Sequence, residues 1–488
     1  MSSTPPPPTG LAPPQPPASS VSPAPAPAPT PAPTPAPGQT TGSSPPCFTT
    51  CPVAPPAGFV VTPAELQPQR SPHDDAEYRR NFVAAEMTNA LFALHSGWRG
   101  QGVLVGVIDD GVLETGDLEG QINQSLSRDF GGTLRAGQSV LVPRNNIGDA
   151  GSSHGTAVAA IIAGKRDGKG VQGFAPEARI VALRTDFFNE EARTSGVGFN
   201  LDGVINYANE MRIPLLNMSL AKDIGTPSRA LIDAMTRYNR ETRGLLINSA
   251  GNSGIAGAGF MVEATANNEQ SWLFVVAVDP SVREFKLASY SNTCGPVRNR
   301  CVAAVGQHTT MATNGEARQF AGTSAAAPQV TALAATILSK WPQLSGVDAG
   351  NIILNTARDI GDPGVDDIYG HGLVDFEAAL RPVNPVLSNG KVTTGLASTG
   401  MILGSAFSAG NTPSSIELAM SDVTVLDQFG RDFRGSLTGL VVKPQRNPAE
   451  MTRQIKAQAN AGRAGFLSQH GSAVIGYTAF PTGLIEAG

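Results

Sequence analysis

Three polar clusters in this chain interrupt apolar runs at points where chemistry could be done. Asp109-Asp110-Gly111 follows the β-branched run 103–108 (VLVGVI). Ser153-His154-Gly155-Thr156 leads into the small apolar stretch 157–163. Gly322-Thr323-Ser324-Ala325-Ala326-Ala327-Pro328 opens another long apolar stretch. Read one at a time they are ordinary: Asp-Gly after a strand is a turn, and a Ser at a helix start is a cap. Read together they supply a reaction. A serine hydroxyl needs a base to become a nucleophile at neutral pH; a histidine can take its proton, and a carboxylate can orient the imidazole and stabilise its charged form. The Gly and alanines around Ser324 allow close approach of other backbone, which a nucleophile needs and a cap does not. Ala250-Gly251-Asn252 adds a side-chain amide on a Gly-rich turn, able to donate a hydrogen bond outward.

Rigid elements must hold these groups. Short continuous apolar runs recur at 103–108, 180–183, 213–218, 245–248 and 273–278, the pattern of strands buried on both faces. Helix-like stretches at 155–163, 201–211, 228–238 and 323–341 lie between or after them. The alternation implies an α/β domain with a mostly parallel sheet, whose ligands gather at the carboxyl ends of the strands. Of the six histidines, His308 reads as part of a polar loop, and His371 has the one other ordered-looking setting.

Composition narrows the function. The chain has 488 residues and a formal net charge of −5, without a basic stripe, so nucleic acid is not an expected partner. No apolar run is long enough for a membrane-spanning helix. Twenty-one of the 39 prolines fall in residues 1–60, which carry no Lys, Arg, Asp or Glu. Residues 1–75 are therefore expected to be a disordered Pro/Ala/Thr-rich spacer. Residues 383–488 read as a Gly/Ser-rich tail with some β character, as at 416–420 and 423–426. No secretory signal is visible at the start as written. Cys47/Cys51 and Cys294/Cys301 do not have zinc-site spacing, and two local disulfides are the simpler reading, favouring an oxidising compartment.

The order Asp…His…Ser and the residues around each member resemble the subtilisin-like (S8) serine proteases. The resembling segments are Val107-Ile108-Asp109-Asp110-Gly111, His154-Gly155-Thr156-Ala157-Val158-Ala159 and Gly322 to Pro328. Gly173-Phe174-Ala175-Pro176, Asn217-Met218-Ser219-Leu220, Ala250-Gly251-Asn252 and Tyr369-Gly370-His371-Gly372 are similar to further family blocks, in the same order. The resemblance covers 76–382 and implies a three-layer fold: a mostly parallel sheet flanked by helices. It implies a serine endopeptidase acting on proteins or peptides through an acyl-enzyme. Asp109 would orient, His154 act as base and then acid, and Ser324 attack. Asn252 and the Ser324 backbone N–H would form the oxyanion hole. Ser219, Leu220, Ala221 and Gly251 would bind substrate backbone. No cofactor is required for that chemistry; structural calcium is frequent in the family, but no ligand loop here supports it.

Departures from the family pattern carry expectations too. Asp110 stands where Ser or Thr is usual, a feature shared with kexin-type members whose other blocks are not recognisable here. Its charge is expected to raise the His154 pKa. Ala221 replaces a usual Gly. The segment from Glu77 to Gly102, the Cys294/Cys301 loop and the stretch 423–433 resemble the autotransporter branch, which implies a disulfide between those cysteines and export to the cell surface. The translocator barrel is not recognised after Phe433, so membrane association would come only through an anchor or barrel not seen; a monomer is expected. A proteolytically silent passenger that binds or adheres through the same fold is the alternative function. The sedolisin branch is disfavoured by the His154 block.

Overall fold

The computed structural model describes residues 71–384 apart from 139, 199, 223–224 and 282–284, together with 386–387, 401–402, 423–435, 441–442, 465–470 and 473–478. Residues 1–70 of the expected 1–75 spacer, with Cys47 and Cys51, and the stretch 416–420 lie outside the described residues.

In chain order the strands are β1 (Leu104–Asp109), β2 (Arg128–Asp129), β3 (Gly132–Leu134), β4 (Val142–Pro143), β5 (Arg179–Arg184), β6 (Phe187–Asn189), β7 (Thr194–Gly196), β8 (Leu215–Met218), β9 (Leu245–Ser249), β10 (Trp272–Val278), β11 (Cys301–Val305), β12 (Gln307–Met311) and β13 (Ala317–Ala321). The helices are α1 (Phe82–Met87), α2 (Ala90–His95), α3 (Ser153–Ala163), α4 (Leu201–Glu210), α5 (Arg229–Glu241), α6 (Thr323–Lys340), α7 (Gly346–Thr356) and α8 (Phe376–Leu380).

Seven strands form one sheet in the order β11-β10-β9-β8-β1-β5-β2, and every pairing in it is parallel. The apolar runs explain this: β8, β9, β10 and β11 are buried along their whole length, as strands covered on both faces must be. From β1 the chain moves one way to β5 and then back past β1 to β8, β9 and β10. Right-handed crossovers therefore send α3 to one face and α4 and α5 to the other. The reversal falls between the neighbours β1 and β8, the place where open α/β sheets bind ligands.

Helix α6 is buried from Thr323 to Leu338 and packs against α3 and the central strands. A helix apolar on all sides belongs in the core, which accounts for its run of Ala, Val, Leu and Ile. The expected disulfide is present, joining Cys294 to Cys301 and closing the loop that feeds β11.

Two regions differ from the sequence reading. His308 is not in a polar loop: it lies on β12 and is 1% exposed, edge-on to Phe174. Contacts also run past 76 and 382. Asp74 is buried against Arg79. The hairpin Val423–Leu426 with Asp432–Gly435 presents a fully buried Arg431, which pairs with Asp427 and donates to the backbone carbonyls of Ala379 and Arg381.

Candidate active site

Asp109 is the last residue of β1 and is 1% exposed. Its backbone carbonyl accepts from the Thr185 N–H at 2.9 Å, which fixes the end of the strand. Its carboxylate takes the His154 Nδ1 at 2.8 and 3.0 Å, and its Oδ1 also accepts the Asp110 N–H. A carboxylate accepts only, so Nδ1 carries the proton and Nε2 of the neutral ring is left as an acceptor.

His154 stands in the first turn of α3. The neighbouring Gly155 is required there: a Cβ would lie 2.2 Å from the Gly111 carbonyl and 2.9 Å from the Asp109 Cβ. Phe320 on β13 meets the His154 ring edge-on at 5.3 Å. Arg318 lies over Phe320 and donates to the Ser153 carbonyl at 2.8 Å. Burial of the His154 ring works against its charge. The Asp109 carboxylate, by charge and hydrogen bond, and then Asp110 outweigh it, leaving the His154 pKa above its ordinary value. The expectation for Asp110 thus has the right sign. Asp110 is itself raised to about 6, by burial first and by neighbouring Asp109 second.

Ser324 lies in the first turn of α6, 9% exposed, four residues after Phe320. Gly322 before it has φ +135°, a conformation open to glycine and strained for other residues. The Ser324 hydroxyl donates to the Ser219 carbonyl at 3.1 Å. In return the Ser219 hydroxyl donates to the Ser324 carbonyl, also at 3.1 Å. Pro328 explains why that carbonyl is free: it sits four residues on in α6 and has no N–H to offer. Asn217 donates to the Ser219 hydroxyl and accepts from Thr331, carrying the network into the core.

Asn252 is held by Thr323, whose N–H and hydroxyl both donate to its Oδ1 at 2.9 Å. Its amide nitrogen is left to donate beside Gly322 and Ser324. The Gly251 N–H donates to the Thr323 hydroxyl at 3.2 Å. Leu220 and Ala221 follow Ser219 past the end of β8, and the Leu220 carbonyl is held by Asn248 and Ser249. Beside them a cavity of about 330 Å³ is lined by Leu220, Ala221, Leu231 and Phe260, with a Lys222–Glu263 ion pair in its wall.

The structure thus joins Asp109 to His154 directly, Ser219 to Ser324 directly, and Gly251, Asn252 and Ser324 through Thr323. In the sequence Thr323 and Pro328 stand only as motif letters, and Phe320, Arg318 and Asn217 carry no signal of their own. Among the described residues no group of three or more His, Cys, Asp or Glu is arranged to hold a metal ion. Asp129, Asp149 and Asp186 are instead held by the Arg144 and Arg184 guanidinium groups.

Residues 100–372 match the model of the subtilase family (Peptidase_S8). Over 292 residues the chain is 30% identical to alkaline elastase YaB of Bacillus sp. (strain YaB), covering 60% of this chain and 68% of that protein. Over 285 residues it is 30% identical to subtilisin DY of Bacillus licheniformis, covering 58% of this chain and 93% of that protein. It is also 33% identical over 174 residues to serotype-specific antigen 1 of Mannheimia haemolytica, a match that takes in 33% of this chain and 18% of that protein.

Proposed function

This chain belongs to the subtilase family, whose members are serine endopeptidases, and from that premise we propose that it cleaves proteins through Asp109, His154 and Ser324. The observation that carries the reading is the bond of a buried Asp109 to His154 Nδ1 at 2.8 Å, which leaves Nε2 free to act as a base. The Ser324 hydroxyl donates to the Ser219 carbonyl rather than to His154, so the reaction requires it to turn toward the ring. Its oxygen bonds to the scissile carbonyl carbon while His154 Nε2 takes its proton. The oxygen of the tetrahedral intermediate becomes negative and is met by the Asn252 amide and the Ser324 backbone N–H. His154 then gives its proton to the leaving amine, the C–N bond breaks, and an acyl-enzyme on Ser324 remains. Water then bonds to the acyl carbon while His154 takes its proton; the second tetrahedral intermediate collapses as the carbon–oxygen bond to Ser324 breaks and His154 returns the proton to the serine oxygen, releasing the free acid. Asp109 keeps the ring in the required tautomer throughout. Leu220, Ala221 and Gly251 are the proposed partners of extended substrate backbone.

The test is labelling by a fluorophosphonate, in which the Ser324 oxygen would bond to phosphorus as fluoride leaves. Wild type should label and Ser324→Ala should not. Labelling of neither protein would point to a silent, binding passenger. Similarity to a serotype-specific antigen of Mannheimia haemolytica, and the disulfide at Cys294–Cys301, support an exported protein acting outside the cell.

A further inference from the structure

Asp109 and Asp110 are consecutive, yet both carboxylates close on the same histidine. Asp109 holds its ring; Asp110 holds its backbone. Asp110 Oδ2 accepts the His154 N–H at 3.1 Å and Oδ1 accepts the Gly155 N–H at 2.7 Å. These are first-turn donors of α3, which have no partners inside the helix. Ser152, the residue in the cap position, does not serve them: its hydroxyl donates to the Asp110 carbonyl at 2.9 Å. The helix that carries His154 is therefore capped by the end of β1.

We infer that Asp110 is a positioning residue, fixing the start of α3 on β1 so that the His154 ring stays in register with Asp109. This rests on the proposed role of His154 and goes beyond it. A Ser or Thr at this position offers one short acceptor; a carboxylate reaches two adjacent N–H groups and brings a charge. The charged groups acting on Asp110 are Asp109, the last residue of β1, and His154 on α3, while Arg318 on β13 opposes the charge of His154. Asp110 thus holds geometry and electrostatics together, and two substitutions separate them. Asp110→Asn removes the charge and turns an amide toward one of the N–H donors. Asp110→Glu keeps the charge but lengthens the reach.

The measurement is titration of the His154 ring by NMR in the full chain, assigned with His154→Gln, beside kcat and KM on a peptide substrate. In Asp110→Asn the ring should titrate at lower pH by about half a unit or more. Its kcat should fall about tenfold with KM within about twofold, since a misplaced base affects the chemical step. Asp110→Glu should keep the titration near that of wild type and still lose kcat. A ring titration in Asp110→Asn that coincides with wild type overturns the inference, whatever the activity. So does a kcat undiminished in both variants. Failure of wild type to take the fluorophosphonate would instead overturn the catalytic reading, and the ring titration would still decide the role of Asp110.

Discussion

Ser219 and Ser324 exchange two hydrogen bonds of 3.1 Å, each hydroxyl donating to the other's carbonyl. The pair closes a gap made by Pro328, so the Ser219 hydroxyl is the donor that the Ser324 carbonyl would otherwise receive from α6. Ser219→Ala should leave that buried carbonyl and the Asn217 amide short of a partner. The expected loss is about 1–3 kcal/mol in denaturant unfolding. A variant as stable as wild type would show that the exchange contributes nothing to the start of α6.

Asn252 has its oxygen committed to Thr323 and its amide free. Asn252→Ala should lower kcat by about 10²–10³ with little change in KM, the magnitude known from the equivalent donor in subtilisin rather than one derived for this chain. Thr323→Val should reproduce part of the loss, because it removes one of the two donors that aim the amide. Steady-state kinetics on one peptide substrate checks both, and a raised KM with kcat unchanged would place Asn252 in ground-state binding instead.

A base must be neutral to accept a proton. With its pKa raised, His154 stays protonated to a higher pH than an ordinary histidine, so the acidic limb of kcat/KM should lie above pH 6.5. Arg318 pushes the His154 pKa down. Arg318→Gln should therefore move the limb further up, by about half a unit or less because the group is partly solvated. Movement to lower pH would contradict the arrangement.

His308 makes an opposite prediction for stability. Burial lowers its pKa to about 4, against a reference near 6.5 in the unfolded chain. The unfolded state then binds the extra proton, so stability falls as pH drops through 6.5 and continues to fall toward 4. The loss from this one residue reaches about 3 kcal/mol at pH 4. His308→Gln should flatten the dependence between pH 7 and 5 in urea melts, even if it lowers stability at pH 8. Parallel curves for the two proteins would assign acid sensitivity to other groups.

Strands β1, β5, β8, β9 and β10 were legible because each is a continuous apolar run, and all three members of the proposed triad lie where such runs meet polar motifs. The hairpin β12–β13 was not legible. Its residues, Gln307–Met311 and Ala317–Ala321, alternate without an apolar run, and Thr310 is buried by donating to the Ala157 carbonyl on α3. That contact is long-range and leaves no local signal, which is why His308 reads as a loop residue in the sequence and Phe320 does not stand out. The grip of Asp110 on α3 spans 44 residues and was equally silent. Motif letters named Asp110, but only the folded chain shows what its oxygens touch.

The Arg431 clasp lies at the far end of α6 from Ser324. Lys340, the last residue of that helix, and Trp341, which follows it, lie against Phe433 and Arg431. Eighteen helical residues separate the two ends by about 27 Å. A pull on the chain beyond Gly435 would thus be taken up by a guanidinium seated on the backbone of Ala379 and Arg381, not by the helix start that carries the serine. The clasp and Ser324 therefore occupy opposite ends of one buried helix, so disturbance at the C-terminal hairpin reaches the serine only through the full length of α6.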